Sequence, residues 1–518
     1  MNAPIKPQTL VPFVALSLLV AGGETLAQSI IPASDGTGTI VNLDGNEFVI
    51  EGGTLSGDGA NLFHSFIELG LDANQIATFL AHPQIQNILG RVTGGNPSII
   101  DGLIQVLGGD SNLYLMNPSG FVFGSNASLN VPGDFFVTTA QGIGFGNGLW
   151  FDAWGDNDYQ SLVGTPVEFD LSDRSGTIIN AGNLAVSEGQ NIGLIGGSVI
   201  NTGSLNAPEG NVSIVAMPES GRLRIVSGDN ILGFEIEPPR DEQGNPEAIR
   251  AVDIPELITG SGVETGLTVE GNAVRIDNSE LLVETGDVVS RNIIADNAIL
   301  SAANNLTLPE SQIATTNHLT LLAGDTVRIR DSENQPFLAR AGGDFYIQGD
   351  RNIDILALNH LVTPLVSEGN LTLVSDGNIS GDAHFSSGGN FSMLNLSGDA
   401  GNFVSLYDPI IRANGDIEFG NYTGVALKVE ATGSIQGGDI RITGADISGS
   451  IPLSDPDYTI LTTSQSVILR AGLASVTSTN FPGTTGGTNF NSPGTPLLPS
   501  GSIQVGNVYP CFVTLGRV

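Results

Sequence analysis

The sequence is poor in several residue types, and each scarcity excludes a class of protein. Among 518 residues there is a single cysteine, Cys511, so an intramolecular disulfide cannot form. Only two lysines occur, Lys6 and Lys428, and the net charge is −36. A surface this acidic repels phosphate, which excludes nucleic acid as a partner. Beyond the N-terminus no apolar run reaches the roughly 18 residues of a membrane-spanning helix.

Glycine and short apolar runs are what the sequence has in abundance. Glycine accounts for 69 residues and hydrophobic residues for 40%, while charged residues make up only 14%. Many short apolar runs separated by Gly, Asn and Asp are typical of an all-β protein rich in turns. The acidic charge leaves two interpretations open, solubility of a long exposed surface or Ca²⁺ binding. No helix-loop-helix calcium loop or tandem nonapeptide repeat supports the second.

The N-terminal segment has the pattern of a secretory signal peptide. Lys6 supplies a weakly positive start, and residues 10–22 are apolar apart from Pro12 and Ser17. A small residue, Ala27, then marks a cleavage site. The sequence therefore predicts an exported protein that is cleaved after Ala27 and keeps no transmembrane helix.

One short phrase recurs from about residue 176 onward and indicates the fold. Gly is followed by Asn or Asp and then by apolar residues at alternate positions, as in residues 182–186, 210–214, 369–374 and 415–419. Alternation with period two marks short strands with one buried face. Gly with Asn or Asp is expected to form the corner before each strand, because these residues tolerate positive φ. The spacing of about 20 residues fits the coils of a solenoid.

We therefore predict an all-β fold, a right-handed parallel β-helix. A β-propeller would need a period of about 40 to 50 residues, which is not seen. A string of immunoglobulin-like sandwiches would need a longer period still and more Trp and Tyr. One segment departs from the strand pattern: residues 71–80 predict a short helix capped by Asp72.

The pattern predicts five segments along the chain. The polar, proline-rich stretch near residue 240 is expected to be a linker, and the Gly-, Thr- and Pro-rich end is expected to be flexible. Because no polar cap closes the last coil, we expect the reading frame to be truncated. The segments are a signal peptide (1–27), an N-terminal unit with the first coils (28–236), a linker (237–250), β-helix repeats (251–470) and a tail (471–518).

The most informative motif is a turn between two apolar strands. Asn117-Pro118-Ser119-Gly120 lies between the runs 112–116 and 121–123. Pro118 presets φ, Asn117 can hydrogen-bond back to the main chain, and Gly120 accepts the exit geometry. A second turn of the same type is Asn96-Pro97-Ser98-Ile99.

With these turns the chain resembles the filamentous haemagglutinin N-terminal domain, the two-partner secretion domain, in its cyanobacterial version. The family signature Asn-Pro-Asn-Gly-Ile is present with Ser119 in place of the second Asn and Phe121 in place of Ile. The resemblance covers roughly residues 30 to 235 and includes the flanking stretches 61–66 and 85–95. It implies that the N-terminal unit 28–236 is the two-partner secretion domain that begins the β-helix. It implies that Asn96, Pro97, Asn117, Pro118, Ser119 and Gly120 form secretion-motif turns.

The resemblance also implies a partner and a role. The partner would be an outer-membrane β-barrel with periplasmic recognition domains, and the exported chain would be a secreted or cell-surface adhesin that contacts glycans or proteins of host or neighbouring cells. The alternatives are a β-helix polysaccharide-degrading enzyme and a scaffold of the cell surface. Catalysis is disfavoured because the five histidines are scattered without metal-ligand spacing, and no nucleophile or cofactor motif is found, so no cofactor is expected.

Overall fold

A computed structural model describes residues 29–171, 175–217, 221–228, 231–237, 254, 258, 261–270, 273–277, 279–359, 362–476 and 501–510. The predicted signal peptide and the predicted linker at 237–250 lie outside the described residues, save for Glu237. Within the described part, the chain forms one sheet of 39 strands and two small sheets of five and three strands.

The first half of the chain supplies 25 strands. Their bounds are β1 Ile30–Pro32, β2 Thr39–Asp44, β3 Glu47–Gly52, β4 Thr54–Leu55, β5 Asn61–Leu69, β6 Ile76–Leu80, β7 Asn87–Val92, β8 Ser98–Ile100, β9 Leu103–Leu107, β10 Asn112–Met116, β11 Phe121–Phe123, β12 Ser128–Asn130, β13 Phe135–Thr138, β14 Gly142–Gly144, β15 Trp150–Asp152, β16 Glu168–Leu171, β17 Thr177–Asn180, β18 Asn183–Ala185, β19 Ile192–Gly196, β20 Ser198–Ala216, β21 Gly221–Gly228, β22 Ile231–Glu237, β23 Leu267–Glu270, β24 Ala273–Ile276 and β25 Leu282–Val283.

The second half supplies the remaining strands and the α-helix Tyr458–Thr463. Their bounds are β26 Val288–Ala302, β27 Leu306–Pro309, β28 Gln312–Thr315, β29 Leu319–Ala323, β30 Thr326–Arg330, β31 Leu338–Ala341, β32 Phe345–Gly349, β33 Asn352–Leu356, β34 Leu365–Ser367, β35 Leu371–Val374, β36 Asn378–Ser387, β37 Phe391–Leu394, β38 Phe403–Ser405, β39 Pro409–Ala413, β40 Ile417–Glu418, β41 Tyr422–Val425, β42 Leu427–Ala431, β43 Ile435–Gln436, β44 Ile440–Gly444, β45 Val467–Arg470, β46 Ile503–Gln504 and β47 Val508–Pro510.

The large sheet winds into a stack of coils, here called the column. Three successive strands make one coil, and each strand pairs in parallel with its counterpart one coil further on. Thus β7, β8 and β9 pair with β10, β11 and β12 in the same order. Alternate side chains point inward and form one apolar core that runs from Ile30 to Ala471. The predicted parallel β-helix is confirmed.

The N-terminal end of the column is closed by antiparallel strands, here called the cap. β2 and β3 form a hairpin, and β1 and β4 each pair antiparallel with β5. From β5 onward the ladder becomes parallel through its pairing with β7. The cap therefore covers the first coil and starts the column.

Two accessory sheets cover outer faces of the early coils. The five-stranded sheet β15-β14-β16-β21-β22 shares an apolar core with outward side chains such as Phe63, Tyr114 and Phe136. The three-stranded sheet β23-β24-β25 covers Val122 and Ile200 on another face. The column itself is not interrupted beside the predicted linker, because β20 pairs directly with β26.

A ladder of polar side chains joins the corners of successive coils. Each member accepts or donates a hydrogen bond to the next, 18 to 26 residues apart in most steps. The ladder runs through Asn61, Asn87, Asn112, Asp134, Asn191, Asn211, Asn297, His318, Asp344, Asn370, Asn390, Asp416, Ser434 and Ser502. It supplies partners for the buried Asn61, Asn87 and Asn297, and in the later coils it joins exposed corners of neighbouring coils.

The glycines of the Gly-Asn and Gly-Asp corners are required for a reason other than the predicted positive φ. Gly210, Gly324 and Gly388 do not have positive φ. Instead, a Cβ on Gly210 would lie 1.8 Å from the carbonyl oxygen of Gln190 in the preceding coil. The corner requires glycine because stacked backbones approach too closely for a side chain.

Two expectations from the sequence need correction. The predicted helix over residues 71–80 is wrong: β6 is a strand that pairs with β3 and β9. Within the predicted tail, residues 501–510 contain β46 and β47, which extend the column by pairing with β43 and β44. Residues 477–500 and 511–518 of that tail lie outside the described residues.

Candidate functional site

The two Asn-Pro turns lie one above the other at the same corner of neighbouring coils. The first precedes β8 and the second precedes β11, and these two strands pair in parallel. The backbone N–H of Ser98 donates to the carbonyl oxygen of Gly120 at 3.0 Å. The structure thus brings together the residues that the sequence singled out as secretion-motif turns.

Asn117 is the centre of this corner. Its Nδ2 donates to the carbonyl oxygen of Asn96 and to Ser98 Oγ, both at 3.0 Å. Its Oδ1 accepts from the backbone N–H of Ser119 at 3.0 Å, while its carbonyl accepts from Gly120. Gly120 has φ of 111°, which a side chain would disfavour. One side chain therefore shapes its own turn and fastens it to the turn one coil earlier.

Exposure separates these residues into two groups. Asn117 is 1% exposed, and Pro118 and Gly120 are buried. Asn96 is exposed, whereas Ser119 is half-buried. Because a partner can touch only exposed atoms, Asn117 is out of reach of a partner in the folded domain, whereas Asn96 is available at its surface.

Arg91 joins three parts of the N-terminal region. The side chain is 2% exposed and forms an ion pair with Asp35 of the cap at 2.9 Å. Its guanidinium also donates to Ser65 Oγ of the first coil and to the carbonyl oxygens of Asp152 and Gly155 beside the accessory sheet. The pKa of Asp35 lies well below its usual range: burial opposes this, but hydrogen bonds from Ser65, Thr37 and Arg91 outweigh it.

His64 lies inside the first coil without a hydrogen-bond partner for either ring nitrogen. It is fully buried, with its ring 6.2 Å from Phe66 and 6.0 Å from Phe79. The register places it beside Gly90 of the next coil. Burial lowers the pKa of His64 to about 4, so the ring is neutral in the folded state at neutral pH.

Strand β2 is an open edge of the cap. Among the described strands it pairs only with β3. Ile40 is 49% exposed and Leu43 is 63% exposed, whereas interior strands such as β7 are buried throughout. Unpaired N–H and C=O groups beside exposed apolar side chains are a template for pairing with another strand.

Sequence reasoning did not find Arg91, His64 as a buried group, or the open β2 edge. Arg91 stands in the apolar run of β7, a signal that a charged side chain is buried there and needs partners. Within the part of the chain that the structure describes, no group of three or more His, Cys, Asp or Glu side chains is placed to hold a metal ion. No helix among those residues is long and apolar enough to cross a membrane.

Comparison with known proteins identifies the N-terminal region. Residues 28–253 match the family model of the TPS secretion domain. The structure is similar to the HMW1 secretion domain from Haemophilus influenzae, with 15% identity and a TM-score of 0.36 over 85% of this chain and 99% of that one. It is also similar to the filamentous hemagglutinin secretion domain, with 11% identity and a TM-score of 0.27 over 93% and 100%. No curated protein sequence matches this chain.

The N-terminal region is therefore a two-partner secretion domain. This domain indicates a two-partner secretion exoprotein, a class of proteins that is exported to the cell surface or the extracellular space. Such a domain is a secretion module, and it implies an outer-membrane transporter as its partner.

Proposed function

We propose that the transporter's periplasmic domains recognise this chain at the open β2 edge of the cap, and that the exported column acts as an adhesin. The β2 edge carries the first part of the proposal. It offers a free strand at the end of the domain where the column begins, and the exposed Ile40 and Leu43 supply apolar contacts. Strand addition would extend the cap sheet by one strand from the partner.

The acidic charge of the β2–β3 hairpin indicates which residues a partner strand would carry. Asp44, Glu47 and Glu51 lie on β2 and β3, and no Lys or Arg stands in either strand. A partner edge with Lys or Arg would complement this surface and speed encounter at low salt. The proposed recognition therefore joins main-chain hydrogen bonds to acidic–basic pairing.

The Asn-Pro turns support secretion in a different way. Because Asn117 is buried, we propose that it acts by holding the first coils together rather than by touching the transporter. Asn96 and Pro97 at the neighbouring corner are the members of the motif that a partner could reach. Secretion would then follow the stability of the turn for Asn117 and direct contact for Asn96.

The test of the edge uses the full chain expressed together with its transporter. Ile40→Lys with Leu43→Lys places charge at two exposed positions of the open edge and leaves the core-facing Thr39 and Val41 in place. We expect secretion into the medium to fall at least about tenfold, with unchanged thermal unfolding of the purified protein. Leu282→Lys, at a residue 44% exposed outside the cap, is the matched control. Normal secretion of the double variant would refute recognition at β2.

A corner in the later coils favours the adhesin role. Asp382 is buried and accepts hydrogen bonds from Ser405 Oγ and from the backbone N–H groups of Leu406 and Tyr407 at 2.7–2.8 Å. These bonds fix the corner while Leu406 stays 56% exposed and Tyr407 44% exposed. A rigidly held aromatic side chain at the surface is a typical contact point for a partner.

Adhesion of cells that display the chain tests this role. Tyr407→Ala with Leu406→Ser should lower adhesion to the surfaces that the wild type binds, and Leu396→Ser at another exposed site should not. Release of sugars from a polysaccharide by the purified protein would instead favour the enzyme alternative. Equal adhesion by the double variant and the Leu396→Ser control would show that the corner at Leu406 and Tyr407 is not the adhesion site.

A further inference from the structure

Five buried charged side chains and the partly exposed Arg470 lie together beneath the segment 444–466, here called the cover segment. Four of them stand on three stacked strands of the column. Arg412 lies on β39, Lys428 and Glu430 lie on β42, and Arg470 lies on β45. The other two, Asp455 and Asp457, precede the helix of the cover segment. The side chains of Lys428 and Asp455 are 0% exposed and that of Glu430 is 1% exposed. So many buried charges carry a large desolvation cost.

The contacts form one network that contains three cation–carboxylate pairs, and Arg470 Nη1 also lies 2.9 Å from Glu430 Oε1. Arg412 Nε lies 3.2 Å from Glu430 Oε2. Arg470 forms a bidentate pair with Asp457 at 2.6 and 2.7 Å.

The third pair is Lys428 with Asp455. The Nζ atom of Lys428 lies 3.0 Å from both carboxyl oxygens of Asp455. If this pair lost its charges, the two arginine–carboxylate pairs would remain balanced. Lys428 and Asp455 can therefore become neutral without leaving an unpaired charge in the interior.

We infer that Lys428 and Asp455 condense to an intramolecular amide that ties the cover segment to the column. With both oxygens at 3.0 Å, the carbon between them lies on the order of 3.4 Å from Nζ, within the range of a near-attack geometry. In this bidentate ion pair Nζ lies in the plane of the carboxyl group, so a rotation about the Cα–Cβ bond of Asp455 must tilt the group before its face is turned toward Nζ. The reaction needs no oxidant, metal or second protein.

The steps of the condensation balance. A proton passes from the Lys428 ammonium to the Asp455 carboxylate, which leaves a neutral amine and a carboxylic acid. Nζ attacks Cγ, the Nζ–Cγ bond forms, one Cγ–Oδ bond breaks, and one water molecule leaves. Glu430, whose Oε2 lies 3.9 Å from Nζ, takes the second amine proton and passes it to the departing hydroxyl. Removal of two buried charges favours the amide.

Asp457 is also near the lysine, at 2.9 Å, but it is a poor acceptor. Burial would raise the pKa of Asp457, yet hydrogen bonds from Arg470 and Lys428 hold it at about 2. It therefore stays ionised, and an ionised carboxylate resists attack by an amine. The acceptor is Asp455.

Such a bond suits a chain that is exported unfolded. The only cysteine is Cys511, so disulfides cannot fasten the column. An amide that forms only when folding brings Lys428 and Asp455 together adds a covalent tie after passage through the membrane. The expected tie joins β42 to the cover segment across 27 residues.

Digestion of the denatured full chain by a lysine-specific protease tests the bond. Lys428 is the only lysine after Lys6, so an unlinked chain is cut once beyond residue 6, after residue 428. The amide blocks this cut, so we expect wild-type chain, folded before denaturation, to stay whole and to weigh one water molecule less than its sequence. Peptide mapping after digestion at other residues should join the segments that contain residues 428 and 455.

Two variants complete the test. Glu430→Gln should leave the lysine free, restore the cut and restore the full mass, while Asp399→Asn at an exposed site should behave as the wild type does. A wild-type chain that folds cooperatively, is cut after residue 428 and has the full sequence mass would overturn the proposal. A water loss mapped to other residues would overturn it as well.

Discussion

The early and late coils of the column differ in what covers their outward side chains. Phe136 on β13 faces outward but is 4% exposed, because it stacks on Tyr114 at 5.1 Å and lies against Phe169 of the accessory sheet. Tyr346 on β32 also faces outward and is only half-buried. Early coils thus carry an apolar core on both sides of the strand, whereas late coils outside the cover segment, such as that of β32, carry one.

This difference indicates how the column gains stability. Outward side chains of the late coils form ion pairs between neighbouring coils, such as Arg340 with Glu368 at 2.7 Å. Exposed pairs of this kind contribute about 1 kcal/mol or less. The early coils can therefore fold with less help from their neighbours, as the part of an exported chain that starts the column must.

Truncation of an outward aromatic residue gives the largest expected difference between the two regions. Phe136→Ala removes a buried ring and leaves a cavity under the accessory sheet, so it should lower the free energy of unfolding by about 3–5 kcal/mol. Tyr346→Ala at the open face should cost about 1 kcal/mol or less. Urea unfolding of the full chain measures both. Equal losses would show that the accessory sheet does not stabilise the early coils.

Acidification should weaken the first coil through His64. The pKa of His64 is lowered by burial from 6.5 to about 4 in the folded state. The unfolded chain therefore binds a proton between these values while the folded chain does not. The free energy of unfolding should thus fall by about 3 kcal/mol as the pH drops from 6.5 to 4. Above pH 6.5 the histidine is neutral in both states and no longer changes the stability.

His64→Phe removes the titrating group and should flatten that part of the pH profile. His82 is exposed, so His82→Gln should leave the profile as in the wild type. Hydrogen exchange of the β5 and β7 amides, measured from pH 7 to pH 5, locates the effect in the first coil. A profile that His64→Phe does not change would rule out this histidine as its source.

The column could be predicted from the sequence because its signal is local and repeated. Alternating apolar residues after a Gly-Asn or Gly-Asp corner are readable within six residues, and the repeat fixes the solenoid. The mistaken helix over residues 71–80 shows the opposite case. Asp72 and the apolar spacing fit a helix, but pairing of Ile76 with Glu47 and Leu103 on two neighbouring strands decides the conformation.

In the candidate site, too, local features could be predicted from the sequence and long-range contacts could not. The turn at Asn117 consists of four consecutive residues, so its local hydrogen bond from Ser119 N–H to Asn117 Oδ1 could be predicted, whereas the bonds of Asn117 to Asn96 and Ser98 could not. The contacts of Arg91 join residues 26 to 64 positions apart, and those of Lys428 reach 27 positions away. The open edge of β2 depends on which strands are missing beside it. Such features arise only when the coils are stacked.

The smallest expected difference in stability is between the two asparagines of the Asn-Pro turns, Asn117 and Asn96. Asn117→Ala leaves Ser98 Oγ, the carbonyl oxygen of Asn96 and the N–H of Ser119 without their partner, and should cost about 1–3 kcal/mol of unfolding free energy. Asn96→Ala should change it by about 0.5 kcal/mol or less, because Asn96 accepts through its backbone carbonyl. Urea unfolding of the purified variants measures these losses.

Secretion of the same two variants then separates folding from recognition. If Asn117 acts by fastening the corner, secretion should fall with the stability of Asn117→Ala, and a stabilising change elsewhere in the early coils should restore it. Asn96→Ala should lower secretion without a loss of stability if its exposed side chain contacts the transporter. Loss of secretion in an Asn117→Ala chain of wild-type stability would contradict the structural role, because a buried amide has no surface to offer a partner.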